Sequence, residues 1–410
     1  MTATPPPTVG DLVVISLEAW DNVWRRNQYL IDGILRSDPA ARVLYVEPAR
    51  DLLYEARTGR GLSRDRGLRV LADYAERLTL FQPTKVLPRV LGPAADASWR
   101  RQVLREVKRL EMHHPLLWVN DAQGAQIVAR NDSPALYDIT DDWLVAERSP
   151  RSLHRLARNE STLLKRCQEV VVCSSDLQTS RGAHRPVRLI PNAVDVARYQ
   201  HPAARPSDLP ARAALYAGTL HEDRLDVDLL TRCAAALGGE AVVVLLGPDA
   251  LPSSQGDALR AAGVLTLGRR PHDQVAAYLQ HADVLIVPHL INRFTNSLDP
   301  IKLYEYRAAG RPIVSTAVAG FRDSTAPTIS IVTAEDFPAA VLSAVRDVQP
   351  TIEDPDVPDW SQRVAEMTGV LRSLRAVPRQ AGQKRQRGPV RRPLGDVTPG
   401  ESPRPSRFGA

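Results

Sequence analysis

The 410-residue chain is short of cysteine: it has three, Cys167, Cys173 and Cys233. An odd number, with no CxxC and no His-flanked spacing, argues against a disulfide framework or a structural zinc and predicts three small core residues. Long apolar runs are missing too. No stretch approaches the roughly 18–20 uninterrupted apolar residues of a membrane span. The opening MTATPPPTVG lacks the charged-then-apolar pattern of a secretory leader, so a cytoplasmic protein is expected. Neither GxGxxG after a leading strand nor GxxxxGKS/T is present, which takes the main sequence support from dinucleotide oxidoreductases and P-loop nucleotidases. No DxD pair stands in a metal-binding setting; DITDD (138–142) comes nearest, and no metal is expected.

The formal net charge of +6 is not spread evenly. From residue 376 onward there are eight basic side chains against two acidic ones, so the rest of the chain is neutral. That tail is rich in Pro, Arg, Gly and Gln and cannot bury enough apolar surface to offset its ordering entropy. It reads as disordered, with weak attraction to an anionic membrane as a candidate role. No groove-reading motif accompanies it, and no nucleic acid partner is expected.

The chain is too long for a single core. From residue 11, short β-branched runs alternate with helical patterns, the signature of parallel sheets flanked by helices. DLVVISL (11–17), RVLYVEP (42–48), PLLWVN (115–120), PALYDIT (134–140), EVVVCSS (169–175) and VRLIPNA (187–193) read as strands, with helical periodicity over 24–37, 98–112 and 151–167. Residues 201–212 hold three prolines and suit an exposed linker. A second series follows, with strands at 213–220, 241–248, 264–268 and 282–289, helices at 226–237 and 273–281, then a helix and the strand RPIVSTA, and TISIVTA (328–334) at an edge.

The organisation predicted is an α/β chain of two Rossmann-like, doubly wound domains with a cleft between them. Its parts are a disordered start at 1–10, a first domain at 11–200, the linker at 201–212, a second domain at 213–350, a crossing segment at 351–375 with a helix over 358–374, and the tail at 376–410.

The densest chemistry lies in NSLDPIKLYEYRAAGRPIVST (296–316). Asp299 is the expected N-cap and Pro300 the first helical residue. Ligands of open α/β sheets bind beyond the carboxyl ends of the strands, which is where strand 282–289 delivers this helix. A helix N-terminus and Lys302 favour an anion such as a diphosphate, and Glu305 one turn on suits a ribose diol. A solvated Lys–Glu pair on a surface helix is the competing reading.

This stretch, together with GRRPHDQVAAYLQHADVLIVPH (268–289) and LIPNAVDVARY (189–199), resembles the donor domain of GT-B glycosyltransferases of family 4 and its relatives. Upstream, SLEAWDNVWRRNQYL (16–30) and LYDITDDW (136–143) resemble the acceptor domain of bacterial cell-envelope polysaccharide transferases of the teichuronic-acid type.

The resemblance implies a hexosyltransferase that retains anomeric configuration and moves a sugar from a UDP- or GDP-sugar to a hydroxyl on a glycan or lipid-linked acceptor. No further cofactor is implied. Glu305 would hold the ribose, and Lys302 would lie near the donor phosphates. Gly218 and Thr219 match the family's glycine turn, with Arg224 as its cation. Ser297 stands where the family usually has a sugar-binding glutamate. Two alternatives stay open: a GT-B nucleotide-sugar epimerase, and a non-catalytic nucleotide-sugar-binding regulator.

Other candidates come from strand ends. His289 and Asn296 lie in the loop that precedes the 300s helix and are expected to read the donor. Trp20, Trp24 and Arg25, with Arg26 and Asn27, follow the first strand and are expected on the acceptor side, together with Trp143; at most one of the adjacent arginines should point into the cleft. Asp141 and Asp142 are candidate bases if transfer inverts; under retention they bind acceptor hydroxyls or cap the next segment.

Overall fold

The computed structural model describes residues 8–51, 67–85, 92–145, 149–183, 185–292, 295, 299–347 and 350–376. The first half carries strands β1 (Asp11–Ile15), β2 (Arg42–Val46), β3 (Arg50–Asp51), β4 (Leu68–Val70), β5 (Leu78–Phe81), β6 (Thr84–Lys85), β7 (Leu116–Val119), β8 (Ala135–Ile139), β9 (Glu169–Val172) and β10 (Arg188–Leu189). Eight of them form one sheet in the order β10-β9-β8-β7-β1-β2-β5-β4, while β3 and β6 pair separately. Neighbours in that sheet run parallel except β4 against β5. The second half carries β11 (Ala213–Ala217), β12 (Val242–Leu246), β13 (Leu265–Gly268), β14 (Val284–Val287), β15 (Ile313–Ser315) and β16 (Ile329–Ile331), all parallel, in the order β13-β12-β11-β14-β15-β16.

The central strands VVI, VLYV, LLWV and VLIV are buried along their length, as expected of parallel sheets covered by helices on both faces. The chain is therefore two doubly wound sheets in series, and its described residues belong to one compact unit ending at Ala376.

Several expectations need correcting. Val9 is fully buried and donates its N–H to Asp38 Oδ2 at 2.7 Å, so order begins inside the stretch expected to be disordered. The expected linker is largely exposed but pinned: Leu209 packs into the second core, and Ala203 donates its N–H to Gln280. Strands β4 and β5, with LRV and LTLF for sequences, are too short and too closely flanked by charge to stand out as a pattern. Helices Ser175–Gly182, Ser253–Ala261 and Phe337–Arg346 are similarly brief. The basic tail from 377 onward lies outside the described residues.

Two stretches of chain pass between the sheets side by side. Val194 donates to Pro358 O and accepts from Trp360 N–H, both at 3.1 Å, joining the outgoing chain to the returning one. The returning chain becomes helix Trp360–Ala376, which packs on helix Arg26–Ser37 of the first half. Gly33 permits that approach, since a Cβ there would sit 2.4 Å from Val364 Cγ2. Arg375 then ties the last turn to the first sheet, donating to Val9 O and His114 O, each at 2.8 Å.

Candidate functional site

In each sheet the order reverses around one strand: β1 lies between β2 and β7, and β11 between β12 and β14. Crevices open beyond the carboxyl ends of such strands. Loops 16–25 and 218–226, which follow these two strands, line opposite sides of a cavity of about 410 Å³.

On the second domain's side, the turns after β11 and β12 are pressed together. Gly218 has φ +148° and Gly247 φ +147°; a Cβ on Gly247 would lie 2.1 Å from Gly218 O, and one on Gly218 2.9 Å from Lys302 Nζ. Only glycine leaves this backbone open to a ligand beside the lysine.

Helix Ile301–Ala309 starts at the cavity floor. Its cap differs from expectation. Pro300 is the N-cap residue, and Asp299 instead accepts from Asn192 N–H at 2.5 Å and from the Tyr304 hydroxyl at 2.7 Å, so it locks the chain crossing to the helix. Gly310 ends the helix at φ +64°, where a Cβ would strike Ile352 O at 2.6 Å.

Lys302 Nζ donates to Tyr216 Oη at 2.7 Å and lies 3.4 Å from His289 Nε2. Burial, reinforced by the nearby Arg224 charge, holds this ammonium well below its usual pKa. His289 is likewise held well below its usual range, by burial and then by Lys302, so its ring is neutral at physiological pH. Burial pushes the Glu305 carboxyl up to about 7, against the pull of Lys302 and Arg198. Burial thus shifts the Lys302 amine and the Glu305 carboxyl, one turn apart, each toward its neutral form.

Gly218, Thr219, Arg224, His289, Lys302 and Glu305 thus line one cavity. Arg224 also pairs with Asp223 at 3.0 Å. Asn296 and Ser297 lie outside the described residues.

Across the cleft, Trp24, Arg25, Asp141 and Trp143 line the first domain's side. Trp24 stacks on His272 of the second domain, with centroids 5.8 Å apart and planes 3° from parallel, and His272 also meets the Tyr29 hydroxyl at 2.7 Å. Both adjacent arginines touch the cavity lining. Arg25 is held by Asp21 and Glu18. Arg26 is clamped to Asp138, the pair being 4% and 0% exposed.

Two candidates do not join the cavity. Trp20 turns inward, edge-on to Tyr45 and Tyr74 at 5.2 and 6.3 Å, because the chain beyond β1 folds its indole back onto the core. Asp142 is taken by Arg181 at 2.7 and 2.9 Å through a forked guanidinium pairing, which removes it as a base.

Glu18, Asn120, Thr140, Arg269 and Arg270 also line the cavity. Glu18 and Asn120 lie just beyond β1 and β7, the pair of strands at the reversal, so the strand-end rule would have found them. Burial pushes the Glu18 carboxyl up to about 7, with Arg25 opposing. Asp141 is raised in the same direction, also by burial, against the Thr140 hydroxyl and Arg224. Among the described residues no three His, Cys, Asp or Glu side chains gather as a metal site, and no helix is long and apolar enough to cross a membrane.

The chain has the GT-B fold: it aligns with Anabaena Alr3699/HepE, solved with UDP and glucose, at a TM-score of 0.58, 14% identity, 88% of this chain and 95% of that one. It aligns with an α,α-trehalose 6-phosphate synthase from Burkholderia multivorans at 0.60, with 12% identity, 90% of this chain and 99% of that one. Residues 211–349 match the family described as glycosyl transferases group 1. TuaH of Bacillus subtilis (strain 168), named for a teichuronic acid biosynthesis glycosyltransferase, is 25% identical over 232 residues, which are 52% of this chain and span 58% of that protein.

Proposed function

We propose that the protein is a glycosyltransferase that moves a hexosyl group from a nucleotide-diphosphate sugar, a UDP-sugar first, to a hydroxyl of an envelope glycan or lipid-linked acceptor. The observation that carries this reading is Lys302 and Glu305 on the first turns of a helix aimed into the cleft, beside the pressed glycine turns. The relatives support the donor class, since HepE was solved with UDP and with UDP-glucose, and TuaH's name supports the envelope acceptor.

In the proposed reaction the bond from the sugar's anomeric carbon to the diphosphate oxygen breaks, and a bond to the acceptor oxygen forms. Lys302, the helix N-terminus and Arg224 stabilise the charge that grows on the departing diphosphate. Glu305 accepts hydrogen bonds from the ribose diol. We assign retention: the acceptor proton passes to the departing diphosphate on the same face, with no additional metal or cofactor, and Asp141 orients acceptor hydroxyls. Trp24, Trp143 and Arg25 border the acceptor, and His289 keeps the Lys302 amine aimed.

Product analysis separates this from the epimerase. Incubation with UDP-sugars and hydroxyl acceptors is expected to give a new glycoside of unchanged anomeric configuration together with UDP; a C2-epimerised or hydrolysed donor, equally abundant without acceptor, would contradict transfer.

We also propose that the basic tail draws the enzyme to anionic lipid, where a lipid-linked acceptor would lie. Deleting residues 377–410 is expected to lower co-sedimentation with vesicles containing phosphatidylglycerol, and unchanged co-sedimentation would rule this out.

A further inference from the structure

Asn27 and Asn120 are 2% and 4% exposed, line the cleft, and each has a side-chain oxygen with no hydrogen-bond partner among the described residues. Their nitrogens are committed. Asn27 Nδ2 donates to Ser16 Oγ at 3.2 Å, and Asn120 Nδ2 donates to the carbonyl and a carboxylate oxygen of Asp138 at 3.1 and 3.2 Å. Because a carboxylate can only accept, Asn120 must face it with the amide N–H, which leaves its oxygen for something else. A buried acceptor without a donor is costly, and the missing donor points to a ligand.

The two carboxylates of this wall have the same one-sided capacity. Glu18 meets Arg25 Nε at 3.5 Å, and Asp141 receives the Thr140 hydroxyl at 3.1 Å; each carboxylate keeps further lone pairs. The wall's two arginines each have partners of their own. Arg26 donates to Asp138, Pro191 O and Asn192 Oδ1, and Arg25 to Asp21 and Val23 O. Arg269, from the opposite side, pairs with Asp21 at 3.2 Å. A ligand anion placed against Glu18 and the Asn120 amide oxygen would meet acceptors rather than donors.

We infer that this wall is a subsite for an accepting sugar that offers hydroxyl or ammonium donors and bears no anionic substituent, with Glu18 as the residue that turns acidic sugars away. The inference rests on the transferase reading and narrows its acceptor. The donor half of the cleft, floored by Lys302 and Glu305, is not part of it.

The test is an NMR titration at pH 8, where Glu18 is mainly ionised, with methyl glucopyranoside, its 2-amino-2-deoxy analogue and methyl glucuronopyranoside, each with and without UDP. The neutral and amino glycosides are expected to bind, and the glucuronide at least about tenfold more weakly, a gap of about 1.4 kcal/mol. Tighter binding of the amino glycoside would support an amine donor at the subsite, and equal binding a hydroxyl. In Glu18→Gln, whose amide can donate to a carboxylate, the gap should shrink to under about threefold. That is a gain of binding, which misfolding cannot produce. Glucuronide binding as tight as that of the neutral sugar, a gap unchanged in Glu18→Gln, or no binding by any of the three would overturn the inference. UDP is titrated separately on the same samples: its failure to bind would count against the donor site alone, because the sugar series is also read without it.

Discussion

In a purified Lys302→Ala enzyme, turnover is expected to fall by about 100–1,000-fold while the KM for the donor shifts far less, the size seen when one preorganised donor to a developing charge is removed. The reason lies in the state of the amine before substrate arrives. Buried beside Tyr216 and repelled by Arg224, it is held well below its usual pKa. A diphosphate restores its charge, and the stabilisation grows as negative charge accumulates on the leaving group, so the interaction is worth more in the transition state than in the ground state. The binding contribution therefore weakens as pH rises, because a group whose pKa goes up on binding loses its advantage once the solution passes from the lower value toward the higher. Folding should survive the change, since alanine removes a buried amine whose charge burial already disfavours. Steady-state kinetics with thermal melting read both: an equal loss in kcat and 1/KM, or a collapsed melting temperature, would show that the residue binds or supports structure instead.

Glu305 gives the second large effect, in binding. Hydrogen bonds to a charged group contribute about 1.5–3 kcal/mol each, so Glu305→Ala should weaken nucleotide binding by roughly 10–100-fold. The pH dependence identifies the cause. Burial pushes the carboxyl up to about 7, and in the proposed role its ionised form is the one that accepts from both ribose hydroxyls. Nucleotide binding lowers its pKa, so affinity is full above 7 and declines as pH falls through 7 toward the lower bound-state value. Glu305→Gln should erase that decline while keeping the fold. A decline of the same size in the variant would assign it to another group, with Glu18, also near 7, the next to examine.

Legibility in the sequence followed the physics of each element. Strands of the parallel cores were readable because both faces are buried, as in VVVLL of β12 and VLIV of β14. The edge strand β4 was not, because an exposed edge carries mixed polarity over only three residues, and its neighbour β5, though buried, is only four residues long. Lys302 and Glu305 were legible because chemistry and helix start coincide in one short stretch. The acceptor side was harder, because strand-end loops place successive side chains in unrelated directions. Trp20 and Trp24 are four residues apart, yet one packs inward and the other borders the cleft. Adjacent Asp141 and Asp142 part company because Arg181, brought in by another helix, claims the second. Such a long-range partner leaves no local signal.

The most direct test of the central claim is a calorimetric titration of the protein with UDP, GDP and ADP at pH 8, repeated on Glu305→Ala. The account predicts selective binding of UDP, weakened by at least about tenfold in the variant. No binding of any diphosphate, or binding that Glu305→Ala leaves untouched, would contradict a donor site on helix Ile301–Ala309.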